Sequence, residues 1–183
     1  FREAGIVPLV GNLDQSASLG RLAGLATRVL HLAPPPGAGA TDPRTARLLA
    51  ALSRRGGLRS FIYGSTTGVY GDAQGALFDE TRAVAPATDR GRRRVHAESL
   101  VRWWGRRQVM QSGTRVGILR IPGIYALDRE GGDPRERVRK GSPLLRREDD
   151  VYTNHIHADD LARACVAALW RGLPGRVVHA CDD

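Results

Sequence analysis

Arg59-Ser60-Phe61-Ile62-Tyr63-Gly64-Ser65-Thr66-Thr67-Gly68-Val69-Tyr70-Gly71-Asp72 is the stretch from which the remainder of this chain can be read. Its apolar, aromatic run from Phe61 to Tyr63 stops at small hydroxylated residues and glycines, as a buried parallel strand does where it ends at a site. Ligands of open α/β sheets bind beyond the carboxyl ends of the strands, so Ser65, Thr66 and Thr67 are candidates to face a ligand crevice. An ordinary Gly/Ser/Thr turn accounts for the same letters. Gly64, Gly68 and Gly71 do not make a dinucleotide fingerprint, because that motif opens into a helix. Here an acidic loop over residues 72–86 follows and ends in Pro86.

Working outward, apolar runs alternate with helical periodicity. Strands are predicted at 6–10, 27–33, 59–64, 114–121 and 176–180, with an extended stretch over 151–156. Helices are predicted from Ser16 or Ser18 through Leu25, over 43–55 behind an Asp42 cap, over 88–111, over 134–139, and from Asp159 or Asp160 through Leu169. Pro34-Pro35-Pro36-Gly37 ends the second strand in an extended loop. The alternation predicts a Rossmann-like, doubly wound parallel α/β sheet, with residues 1–183 forming one domain.

At 183 residues and 42% apolar content the chain can bury a sizeable core, and no apolar run reaches transmembrane length. A soluble, cytoplasmic protein with no membrane partner is expected, and Cys165 and Cys181 are too few for a disulfide framework. Phe1 in place of Met suggests a fragment or processed product. The net charge of +9 is almost all arginine, with Lys140 the only lysine. Since Ala, Gly and Pro are abundant too, compositional bias explains it better than nucleic-acid binding does. Trp103 and Trp104 read as one indole packed inward and one left exposed. His155-x-His157 with Asp159 and Asp160 has the letters of a zinc site but reads better as a strand-to-helix junction, and no metal is expected. His31 and His179 read as satisfied core or rim histidines. Ser65 lacks the flanking glycines of a nucleophile elbow.

The ordered strand ends, Gly11-Asn12-Leu13-Asp14, His31-Leu32-Ala33, Ser65 to Gly71, Leu119-Arg120 to Tyr125 and Ile156 to Leu161, together resemble the extended and atypical short-chain dehydrogenase/reductases, the NAD-dependent epimerase/dehydratase group. The resemblance implies NAD or NADP across the strand ends and a small-molecule substrate, with epimerase, dehydratase or reductase chemistry on a sugar nucleotide or small carbonyl compound. It places Asn12 and Leu13 near the adenine, Leu32, Ala33 and Pro34 along the cofactor, and Pro122, Gly123, Ile124 and Tyr125 beside the nicotinamide. Ser65 falls among the cofactor-binding residues and Thr66 at the catalytic hydroxyl. The long helices offer a homodimer surface.

Two departures stand out. Where the family has Tyr-x-x-x-Lys, this chain has Arg90-Gly91-Arg92-Arg93-Arg94, with Arg90 at the tyrosine and Arg94 at the lysine. A guanidinium stays protonated and cannot serve as a base, although Arg94 can hold ribose hydroxyls and Arg90 can bind an anion. Tyr70 or Tyr125 is a candidate substitute proton donor. The first strand-helix-strand unit with its glycine-rich turn is missing before Phe1, so the isolated chain is expected to bind cofactor poorly. The alternative reading is a non-catalytic dinucleotide-binding sensor or scaffold.

Overall fold

The computed structural model describes residues 2–128, 133–143, 146–150 and 153–182. Four strands, β1 (Arg28–His31), β2 (Ser60–Thr66), β3 (Arg115–Ile121) and β6 (Val177–His179), form a parallel sheet in the order β1-β2-β3-β6. β4 (Gly123–Tyr125) and β5 (His155–His157) pair separately, also in parallel. The helices are α1 (Pro43–Leu52), α2 (Asp89–Ser112), α3 (Pro134–Arg139) and α4 (Ala158–Arg171).

The sheet is wound on both faces, and strand alternation decides which side chain goes where. Phe61, Tyr63, Val116 and Ile118 face α1 and α2, packing with Leu48, Leu49, Ala97, Val101 and Trp104. Ile62, Leu119 and Ile121 face the other way, against Leu161 and Cys165 of α4 and Ile156 of β5. The Phe61 and Trp104 rings meet edge to face, 5.3 Å between centroids, while Trp103 remains 55% exposed. The two tryptophans therefore divide as expected.

Helix starts follow the capping chemistry. The Asp42 carboxylate accepts from the Arg44 and Thr45 N–H groups with Pro43 in the first turn, and Thr88 Oγ1 accepts from Gly91. At α4 the expected aspartates occupy the first turn, but the cap itself is His157, whose Nδ1 accepts from the Asp159 N–H at 3.3 Å. The His-x-His segment is thus a strand-to-helix junction.

The N-terminal expectations are corrected. No strand forms over 6–10, where Ile6, Val7, Leu9 and Val10 are exposed, because among the described residues nothing pairs with the outer edge of β1 and these residues have no ladder to join. The helix expected from Ser16 through Leu25 is a run of 3₁₀ turns ending at Leu22. Val151 and Tyr152 of the expected extended stretch lie outside the described residues.

Candidate functional site

The carboxyl ends of β1, β2, β3 and β6 converge with the first turns of α2. Three side chains stand in one row there: Ser65 of β2 is the register partner of Arg120 of β3, which in turn is the partner of His179 of β6. Register partners in parallel strands share a face, so all three lie on the side covered by α2. Glu98 of α2 closes the row. Its Oε1 accepts from the Ser65 hydroxyl at 2.6 Å and from Arg120 Nε at 3.1 Å, and its Oε2 accepts from Arg120 Nη2 at 2.7 Å. Arg120 and Glu98 are buried, at 2% and 3% exposure, so the pair is a desolvated, bidentate one. Burial works against the Arg120 charge, but the Glu98 hydrogen bond and charge outweigh it and hold its pKa above the usual value.

The row continues outward. Arg120 Nη1 donates to Tyr70 Oη at 2.5 Å, and Tyr70 Oη lies 2.6 Å from His179 Nε2. The His179 backbone N–H donates to the Glu80 carboxylate at 2.8 Å, which holds that carboxyl below its ordinary range. Tyr70 and His179 line a cleft of about 350 Å³ with Thr67, Asp72, Phe78 and Asn154.

Thr66, beside Ser65, is half-buried at the last position of β2, and its Oγ1 accepts from the Gly68 N–H at 3.2 Å. Arg90 is exposed, with no hydrogen bond or ion pair to a described residue, whereas Arg94 is buried. Arg94 Nη1 donates to the Gly64 carbonyl at 2.8 Å and to the Tyr63 hydroxyl at 3.0 Å, and its buried Nε has no partner. Burial pushes the Tyr63 hydroxyl up to about 12 even with that cation beside it, so Tyr63 stays a neutral phenol.

The residues assigned to the cofactor lie along the same end of the sheet. Leu32 is 50% exposed and its side chain crosses Gly64, where an added Cβ would come within 2.6 Å of Leu32 Cδ2. Ala33 is half-buried and Pro34 exposed. Arg44 draws the Asn12-Leu13 turn towards them by donating to Asp14 Oδ1 at 2.9 Å, Asp14 Oδ2 at 2.6 Å and the Pro34 carbonyl at 3.3 Å. Asn12 is exposed and accepts from the Asp14 N–H at 2.9 Å, while Leu13 is half-buried. Pro122 follows β3, and Gly123, Ile124 and Tyr125 form β4. The Tyr125 hydroxyl donates to Asp182 at 2.9 Å, and that bond raises its pKa, so it is tied down. Ser65 donates its hydroxyl to Glu98, whereas Thr66 uses its hydroxyl oxygen to accept from Gly68 and donates to no described residue.

The buried, unpartnered Arg94 Nε and the apolar strip of Leu32, Ala33 and Pro34 fit the nicotinamide-ribose half of a dinucleotide. Among the described residues, however, no glycine-rich turn joins a strand to a helix, so no phosphate grip of that kind is present. Glu98 and His179 were not singled out as site residues by sequence, nor was Arg120. The available signal was Arg120 itself, since a charge inside a buried apolar strand demands a buried carboxylate.

Comparison with known proteins gives one family model, the NAD dependent epimerase/dehydratase family, over residues 43–181. Among solved structures the chain is similar to RMD from Pseudomonas aeruginosa complexed with NADPH (TM-score 0.75, 24% identity, 96% of this chain and 68% of that one). It is also similar to a double mutant of DesIV, a dTDP-glucose 4,6-dehydratase from Streptomyces venezuelae, with NAD bound (0.73, 21%, 93% and 56%). A functionally unknown conserved protein from Silicibacter pomeroyi is more similar in sequence (0.68, 31%, 86% and 52%). The chain thus spans little more than half of DesIV and of the S. pomeroyi protein. No curated protein matches. Among the described residues no helix is long and apolar enough to cross a membrane.

Proposed function

Since the chain belongs to the NAD dependent epimerase/dehydratase family, we propose that the whole protein binds NAD or NADP at these strand ends and carries out epimerase, dehydratase or reductase chemistry of an atypical kind. The substrate class is a sugar nucleotide or a small carbonyl compound. The observation that carries the reading is Thr66, an open hydroxyl at the carboxyl end of a central strand, with Arg94 seated against the same strand. When bound, the dinucleotide supplies hydride transfer. Leu32, Ala33, Pro34 and Ile124 would line it, Asn12 and Leu13 would flank its adenine end, and Arg94 would set its guanidinium beside the ribose hydroxyls. Thr66 would hold the reacting oxygen of the substrate, and a donor aimed where charge develops typically contributes a hundredfold or more in rate.

Arg90 supports the atypical part of the reading. An exposed guanidinium can anchor an anionic group of a substrate but cannot take up a proton. The test is calorimetric titration of NAD and NADP into the whole protein, followed by turnover with UDP-glucuronic acid and dTDP-glucose. Micromolar to millimolar binding with turnover is the expected result. Binding without turnover would favour a sensor or scaffold, and absence of binding at millimolar cofactor would overturn the reading.

A further inference from the structure

Position 90 holds no proton donor, yet the site contains a histidine oriented as proton-transfer residues are. We infer that His179 is the acid/base of this site, acting on a hydroxyl- or carbonyl-bearing substrate in the 350 Å³ cleft, with Tyr70 and Arg120 as the residues that position it. The inference rests on the proposed function for the reaction but on separate observations for the residue.

Proton bookkeeping fixes the orientation. A guanidinium only donates, so Tyr70 Oη accepts from Arg120 Nη1 and directs its own proton to His179 Nε2. Neutral His179 then carries its proton on Nδ1, which makes no hydrogen bond to a described residue, while the half-buried ring lines the cleft. The chain from Glu98 through Arg120 and Tyr70 to His179 follows the logic of an oriented base, in which buried partners hold the imidazole in one tautomer. The surrounding groups are the Glu80 carboxylate on the His179 backbone N–H, Asp79 beside it, Asp72 across the cleft, Tyr70 and Arg120 behind, and the Phe78 ring 6.1 Å away, edge to face.

In the direction that forms an alcohol, the Nδ1–H bond breaks as the substrate O–H bond forms. The Tyr70 O–H bond breaks as the Nε2–H bond forms, and the negative charge remains on Oη against Arg120. The shift moves protons only, and the hydride belongs to the nicotinamide chemistry assigned above. The cleft complements a neutral polyol portion of a substrate, because Thr67 and Asn154 supply hydrogen bonds and Phe78 an aromatic wall.

Two measurements decide it. Nitrogen-15 NMR of the histidine rings in the whole protein should show His179 as the Nδ1–H tautomer, with Tyr70→Phe disturbing it; an Nε2–H tautomer overturns the inference. With UDP-glucuronic acid or dTDP-glucose, His179→Asn should lower kcat by about a hundredfold or more at unchanged NAD affinity, and Tyr70→Phe should displace the corresponding limb of the pH-rate profile. Turnover of His179→Asn within about threefold of the parent, with the profile intact, overturns this inference alone. Absence of cofactor binding overturns the wider function and this role with it.

Discussion

Ser65 and Arg120 face one another across β2 and β3 as register partners, and both close on a single carboxylate, that of Glu98. One helix residue thereby ties two adjacent strand ends together immediately beside Thr66. The carboxylate is 3% exposed and its main partner 2%, so neither charge has water to fall back on.

Glu98→Ala should therefore cost about 3–5 kcal/mol, as expected when a buried ion pair loses one member and the other charge stays buried. Chemical denaturation would measure it. The double variant Glu98→Leu/Arg120→Met should be more stable than either single change, because it removes both charges together.

Thr66→Ala should separate chemistry from folding. The hydroxyl caps a short 3₁₀ turn, so the loss of stability should lie near 0.5–2 kcal/mol. Turnover of the whole protein should fall about a hundredfold or more with cofactor affinity little changed. Equal losses in cofactor affinity and turnover would mean that Thr66 serves binding rather than the reaction.

His31 should make stability depend on pH. Burial, with Arg94 contributing against the opposing effect of Asp42, lowers its pKa from 6.5 to about 4. Its Nε2 is 3.0 Å from Thr45 Oγ1, whose hydroxyl is donated to Asp42 at 2.7 Å. Thr45 therefore accepts from the ring, which is neutral in the fold. The unfolded chain binds the extra proton, so this contribution is fully present above pH 6.5 and is lost as pH falls towards about 4. It amounts to about 3 kcal/mol over that window. Denaturation midpoints of the parent should decline across it, and those of His31→Gln should decline less.

Gly71 has φ of +69°, and a Cβ there would fall well inside van der Waals distance of the Ala85 carbonyl oxygen. Gly71→Ala should destabilise by more than about 2 kcal/mol, since backbone strain and a clash with main chain add together. Gly75→Ala, also at positive φ but with open space around it, should cost only the backbone part. Thermal unfolding of the two variants should rank them in that order.

Strand 59–64 was legible because its apolar, aromatic run stops at small hydroxylated residues, and observed β2 differs from it by two residues at most. Helix 88–111 was placed to within one residue at each end although its buried face, with Arg93, Arg94 and Glu98 among its members, carries little apolar periodicity. Residues 6–10 misled because Ile-Val-Pro-Leu-Val has the letters of a strand, while a strand also requires a neighbour to pair with. Family placement gave Thr66 and Arg94 as site positions. It did not show that Arg94 would reach down to the Gly64 carbonyl, since side-chain direction depends on how deeply α2 sits against β2. Nor did His179 stand out, because its partner Tyr70 is 109 residues away and only the strand order brings them together.

The contrast between Arg90 and Arg94, four residues apart on one helix, divides what selection can alter here. Arg94 is built into the sheet through Tyr63 and Gly64, so exchanging it disturbs the seat of α2 before it touches any chemistry. Arg90 makes no hydrogen bond or ion pair to a described residue, and a Tyr at that position should leave the unfolding free energy unchanged within about 0.5 kcal/mol. On the function proposed above, a lineage carrying this fold can therefore gain or lose a proton donor at residue 90 by a single substitution with no refolding step between, which would make that position a point of low resistance between catalytic and binding-only descendants.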